Sequence, residues 1–345
     1  MSKKARLIIA ALAFPLFFSG CGHLPVQVLE SEQRTGYQCR RIAYSAPDGD
    51  RVEAYLLVPD GAGRRRRHPG LVLLHDHGAR FDIGKEKLVR PMASAPEYIK
   101  KSSEEWVDGG FDGVWFADRL AAAGYVVIVP DALYWGSRST EAARKWSRVR
   151  FGGEDGDLKA LKKEVYEGQR AVYDSLERNG VVWACKTLRE DAGAAAVLGR
   201  LPCVDPERIG CFGWSMGAHR AWLLTAFCPE VKTGVALCWM TLKQTQADPP
   251  TASDYSMMIP QLRERYDFPD IALVLAPKPF LFLSGRQDKL FPEYAVEEAY
   301  GRMRQIYSEK GADGMLLTEW FDGPHHCALE EQERIMAYLD EHLKP

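Results

Sequence analysis

Ser215 stands in Gly213-Trp214-Ser215-Met216-Gly217, after an apolar run, Arg208–Phe212, that reads as a strand, and before a helical run, Met216–Phe227. A serine hydroxyl is a weak nucleophile at neutral pH and needs an adjacent base. Strand, GxSxG and helix in this order make a sharp turn that lifts the hydroxyl above a sheet, with glycines permitting the strained backbone and close helix packing. The N–H of Met216, at the start of the helix, then points at a developing oxyanion. With that turn, the chain order Ser…Asp…His puts an orienting acid and then a base downstream. Asp288 follows the apolar run Pro279–Leu283, and His325 and His326 follow Met315–Phe321, immediately before the last helical run, Leu329–Leu343. Position alone leaves the base open between His325 and His326.

A second oxyanion donor belongs in the loop after an early strand, Leu71–Leu74, where the chain reads His75-Asp76-His77-Gly78. The N–H of His77 is the candidate. The His-x-His pair also fits a metal, but no third ligand follows closely, and the serine constellation already accounts for the loop. Of the nine tryptophans, Trp106, Trp135, Trp146 and Trp239 fall in candidate site loops or at strand ends. An indole face stacks on sugar or aryl groups, so Trp135 and Trp239 are candidate substrate-binding residues.

These residues need a scaffold that holds several strand ends together. Strand-like runs at 71–74, 125–129, 208–212, 234–239, 279–283 and 315–321 alternate with helical runs at 114–123, 158–176, 187–198, 216–227, 296–306 and 329–343. Repeated βα units predict an α/β fold with a mostly parallel central sheet and helices on both faces. Arg41–Ser45 and Val52–Val58 bracket a turn and read as a hairpin. The stretches 79–112 and 132–157 follow strand ends without clean periodicity and read as loop insertions over the site. Arg64–Arg67 is a basic run that reads as a solvated turn.

The chain has 345 residues, a formal charge of −2 and 46% hydrophobic residues. This is globular composition without the basic footprint of a nucleic-acid binder. Lys3, Lys4 and Arg6 precede a 12-residue apolar run, Leu7–Phe18, then Ser19-Gly20-Cys21. The run is short of the roughly 20 residues that span a bilayer and matches a secretory signal. Small residues before a cysteine resemble the lipobox of bacterial lipoproteins, which implies lipidation of Cys21 and residence in the cell envelope, with Gly22 favouring the outer membrane in a Gram-negative host. Residues 1–20 are therefore expected as signal, 21–38 as tether and 39–345 as one domain. Cleavage leaves 42 Lys+Arg against 47 Asp+Glu, a charge of −5. The seven remaining cysteines are scattered without a CxxC pair and read as buried thiols, with room for one disulfide in an oxidising compartment.

From about Arg41 to Leu343 the chain resembles an α/β-hydrolase of the dienelactone hydrolase and acetyl xylan esterase-like branch. The matching residues are His75-Asp76-His77-Gly78, Tyr125–Asp131, Gly213–Gly217, Gly285…Asp288…Pro292 and Gly323-Pro324-His325; Phe81–Leu88 resembles a feature of bacterial members. The Gly-Pro-His match favours His325 as base, with His326 the alternative. Dienelactone hydrolases proper use a cysteine nucleophile, so Ser215 points to the esterase side. The resemblance implies a cofactor-free carboxylic ester hydrolase acting through an acyl-enzyme, on a small ester or an acylated saccharide. Two other readings remain at this level: a serine peptidase of prolyl-oligopeptidase type, and a non-catalytic binding lipoprotein.

Overall fold

The structure, a computed structural model, describes residues 26–345. The signal stretch and the lipidation candidate Cys21 lie outside the described residues. One nine-stranded sheet runs in the order β1-β2-β3-β5-β4-β6-β7-β8-β9. β1 (Val26–Arg34), β2 (Tyr37–Ser45), β3 (Arg51–Pro59) and β5 (Val126–Pro130) pair antiparallel in sequence. β5, β4 (His68–Leu74), β6 (Val204–Trp214), β7 (Thr233–Leu237), β8 (Phe280–Gly285) and β9 (Leu316–Phe321) are parallel.

The parallel strands are apolar at nearly every position because both of their faces are covered. On β4, Val72 and Leu74 join one core cluster, while Leu71 and Leu73 join the other. The first core lies under α5 (Trp183–Arg200), α6 (Met216–Phe227) and α9 (Glu293–Glu309); the second lies under α1 (Glu97–Gly110), α2 (Phe116–Ala122) and α10 (Leu329–Leu343). Short helices α7 (Pro260–Arg265) and α8 (Ala272–Leu275) lie between β7 and β8.

Two parts of the sequence reading change. The polar stretch to Gln38, read as tether, contains β1 and the start of β2, so the sheet already includes Val26, the first described residue. β1 is an edge strand exposed or half-exposed at all but its last residue, which removes the apolar alternation that marks a strand. The stretches 79–112 and 132–157 are not open loops. They contain a 3₁₀ turn at Lys85–Lys87, α1, and α3 (Glu141–Phe151), and α3 folds with α4 (Leu158–Arg178) over a third cluster around Phe81, Tyr134, Trp135 and Trp183. Arg64–Arg67 is exposed in a turn closed by a Gly63–Arg66 bridge. All seven cysteines among the described residues are free, and all but Cys203 are buried.

Candidate active site

Ser215 sits between β6 and α6 with φ 55° and ψ −122°, a left-handed backbone that costs a non-glycine residue roughly 1–3 kcal/mol. The surroundings enforce it. Ser215 N–H donates to the Leu237 carbonyl at 2.9 Å, tying the turn to β7. A Cβ on Gly213 would stand 1.9 Å from the Gly217 carbonyl oxygen, and one on Gly217 would stand 1.9 Å from that of Leu74. Both glycines are therefore required by close approach of helix to strand. Met216 is the first residue of α6; its N–H has no acceptor within the helix, as at any helix start. Its side chain is buried under the Ser256 hydroxyl.

Asp288 and His325 come from the ends of adjacent strands, β8 and β9. His325 Nδ1 lies 2.6 Å from Asp288 Oδ2, while Asp288 Oδ1 accepts from the Leu290 N–H at 2.9 Å. The carboxylate thus has one oxygen for its own loop and one for the imidazole. Trp214 and Phe291 flank the His325 ring, with centroids at 5.4 and 6.2 Å. His326 is turned elsewhere, stacked on Phe321 and 3.5 Å from Glu331. Between the two histidines that sequence position left open, His325 is the one held by Asp288.

The loop after β4 is fixed from below. His75 Nε2 accepts from the Ala132 N–H at 3.1 Å, so Nδ1 carries the proton and donates to the Asp76 carbonyl at 2.9 Å. His77 Nδ1 accepts from Ala79 N–H at 3.1 Å, and Nε2 meets the amide of buried Gln169 at 3.2 Å. All four ring nitrogens are engaged, so the pair is not arranged to chelate a metal. Burial holds His75 well below the usual imidazole range and pushes His77 down to about 3. Both are neutral at physiological pH. Gly78 is required here: its φ is +52° and a Cβ would stand 2.3 Å from the Trp106 ring.

Asp131, at the end of β5, ties two insertions together. It accepts from the Lys85 N–H and Nζ at 2.7 and 2.6 Å, and from the Ser137 N–H and Oγ at 2.9 and 2.8 Å. Arg220 of α6 forms a bidentate pair with Asp191 of α5 at 2.9 and 2.7 Å. Two groups of side chains have metal-like spacing. Around Asp48, Asp50 and Glu190 the place of a cation is taken by Lys186 Nζ, at 2.6, 2.7 and 3.4 Å. The other is Cys238, Asp288 and His325, where His325 Nδ1 already faces Asp288.

Ser215, His325 and His77 open on one cavity of about 390 Å³. Trp106, Trp214, Trp239, Leu290 and Phe291 give it aromatic and apolar walls; Thr245, Gln246, Thr251, Ser253 and Asp254 of the segment after β7 give it a polar rim. No Lys or Arg lines it among the described residues. Trp239 is at the cavity as expected. Trp135 is not: it is fully buried in the third cluster, and its indole N–H donates to the His77 carbonyl at 3.0 Å. Composition could not separate the two, since both follow strand ends. The sequence reading also missed Gln169, whose partner His77 is 92 positions away, and the polar rim.

Residues 111–257 match the dienelactone hydrolase family. YtaP of Bacillus subtilis (strain 168), described as a hydrolase, is 24% identical over 294 residues, spanning 84% of this chain and 83% of its own. A Bacteroides fragilis NCTC 9343 protein described as an acetyl xylan esterase superposes with TM-score 0.66 at 16% identity, covering 92% of this chain and 73% of its own. The glucuronoyl esterase from Solibacter usitatus gives TM-score 0.63 at 12% identity, covering 99% and 92%. At these identities the structural likeness is one of fold. The chain has the α/β-hydrolase fold, with the dienelactone hydrolase match falling on residues 111–257.

Proposed function

We propose that the protein is a serine-dependent carboxylic ester hydrolase acting on acylated carbohydrate. The observation that carries this is the 2.6 Å contact of His325 with Asp288 beside a cavity onto which the strained Ser215 also opens. Asp288 holds Nδ1–H, which leaves Nε2 as the base for the Ser215 hydroxyl. Ser215 Oγ attacks the ester carbonyl, and the Met216 and His77 N–H groups stabilise the oxyanion. His325 passes the proton to the departing alcohol. Water, deprotonated by the same imidazole, then releases the acid. No step needs a cofactor.

The cavity supports a neutral, hydroxyl-rich alcohol. Aromatic walls suit sugar-ring stacking, hydroxyl and amide side chains suit sugar hydroxyls, and no Lys or Arg among the described lining residues calls for an anion. The similar structures whose names specify acetyl xylan and glucuronoyl esters agree with a carbohydrate ester. The signal-like start and Cys21 lead us to propose a lipid-anchored envelope protein. Because the sheet already includes Val26, any linker from Cys21 would be no more than about five residues, at most roughly 18 Å.

A panel pairing acetylated xylo-oligosaccharide, a methyl glucuronate ester and 4-nitrophenyl acetate tests the reading. The expected result is a kcat/KM at least tenfold higher for the acetylated xylo-oligosaccharide than for the aryl acetate or the methyl glucuronate ester, and loss of all turnover in Ser215→Ala. Equal or better turnover of the aryl acetate removes the carbohydrate assignment, and activity in Ser215→Ala removes the serine mechanism.

A further inference from the structure

Lys87 is a lysine with no exposed side-chain surface, placed in the 3₁₀ turn Lys85–Lys87. Its Nζ has three polar partners: the Asp76 carbonyl at 2.9 Å, the His77 carbonyl at 2.9 Å and Asp76 Oδ2 at 3.3 Å. A protonated amine has three N–H donors and no acceptor, so its hydrogen-bonding capacity is filled. The Trp106 ring lies 5.0 Å from the same nitrogen. Burying such a charge costs several kcal/mol unless it is paired and fully bonded. A methionine or leucine would have filled the volume at lower cost, so the cation calls for an explanation.

The two carbonyls belong to consecutive peptides of the loop after β4. The cis peptides among the described residues are Asp248–Pro249 and Ala276–Pro277, so the Asp76–His77 peptide is trans. In a trans peptide the C=O and N–H point in opposite directions. Drawing the Asp76 carbonyl onto Lys87 therefore turns the His77 N–H to the other side. Asp76, His77, Gly78 and Ser215 line the cavity and Lys87 does not, so a His77 N–H turned away from Lys87 is free to face the cavity. The His77 carbonyl, held by Lys87 and Trp135, turns the Gly78 N–H the same way.

We propose that Lys87 is a positioning residue that aims the His77 N–H at the oxyanion formed on Ser215. The proposal rests on the ester hydrolase reading above. His75 Nδ1–H shares the Asp76 carbonyl, so loss of Lys87 loosens the donor without deleting it. The effect is therefore smaller than the roughly 10²–10³ lost with a whole oxyanion donor.

The test uses Lys87→Met and Lys87→Gln, a 4-nitrophenyl acetate assay and an aryl trifluoromethyl ketone. Ser215 Oγ adds to the ketone carbon, His325 takes the hydroxyl proton, and the carbonyl oxygen becomes the oxyanion. Lys87→Met is expected to lower kcat by about ten- to a hundredfold with KM within about twofold, and to weaken the ketone Ki in proportion to kcat/KM. Lys87→Gln, which keeps two N–H donors but no charge, is expected to lie between it and the wild type on the same line. Wild-type values of kcat and Ki in either folded variant overturn the proposal, as does a fall in kcat without a rise in Ki. The wild type supplies an independent check: the His77 amide resonance of ¹⁵N-labelled protein moves downfield when the ketone adduct forms, and an unmoved resonance overturns the proposal. Labelling by a fluorophosphonate separates the two levels. An unlabelled wild-type Ser215 ends the ester hydrolase reading itself, whereas labelled Ser215 with unchanged Lys87 variants ends only the positioning role.

Discussion

His325 is held by Asp288 at 2.6 Å, while its sequence neighbour His326 stacks on Phe321 and faces Glu331. Two adjacent histidines are thus divided by a strand end that points one imidazole into the cavity and the other along the outside of β9. The division assigns unequal kinetic roles. Asp288→Asn keeps the shape and loses the acceptor that selects the Nδ1–H tautomer, so kcat should fall by about 10³–10⁴ with little change in KM. His326→Ala should leave kcat within about threefold. Steady-state kinetics on the two variants check this, and a larger loss in His326→Ala would reverse the assignment.

The buried histidines predict an acid-labile fold. Burial pushes His77 and His219 down to about 3 and holds His75 well below its usual value. In the unfolded chain each titrates near 6.5. The unfolded state then binds more protons between about pH 3 and 6.5, so the stability contributed is complete above 6.5 and lost as pH falls through that window. His219 packs on Trp222 and Trp239 with its Nε2 unbonded. His219→Leu should reduce proton uptake on unfolding at pH 5 by close to one, a change in slope of about 1.4 kcal/mol per pH unit. Urea unfolding at several pH values measures it, and an unchanged slope contradicts the neutral buried imidazole.

Trp135 and Trp239 should separate on binding and stability. Trp239 lines the cavity, so Trp239→Ala should raise KM for an acylated oligosaccharide by about three- to tenfold. Trp135→Phe deletes a buried donor to the His77 carbonyl, which Lys87 still serves. It should cost about 1–3 kcal/mol of stability with KM nearly unchanged. A KM effect confined to Trp135→Phe would contradict the placement of both rings.

The parallel half of the sheet was legible in the sequence because strands covered on both faces are continuous apolar runs, and because Ser215 and Asp288 occupy fixed places at strand ends. β1 was not, since a solvated edge strand is held by backbone pairing with β2 and needs no apolar face. The helices in 79–112 and 132–157 were missed because α1 packs on the sheet through few residues, Val107 among them, and α3 packs with α4 over the third cluster, with buried Lys, Glu and Asp close by. Lys85 and Lys87 carry charge that composition assigns to the surface. Their carboxylate and carbonyl partners are up to 46 positions away in sequence, and no periodicity of a short turn encodes them. Gln169 meets His77 across 92 positions for the same reason.

Hydrolysis through an acyl-enzyme requires a covalent bond between the substrate acyl group and Ser215 Oγ. Rapid acid quenching during turnover of 4-nitrophenyl acetate, followed by peptide mass spectrometry, measures that bond. The predicted result is one acetyl group on the peptide carrying Ser215 in Asp288→Asn, where deacylation is slowed, and none in Ser215→Ala. Acetylation at another residue, or hydrolysis by Ser215→Ala at the wild-type rate, would contradict it.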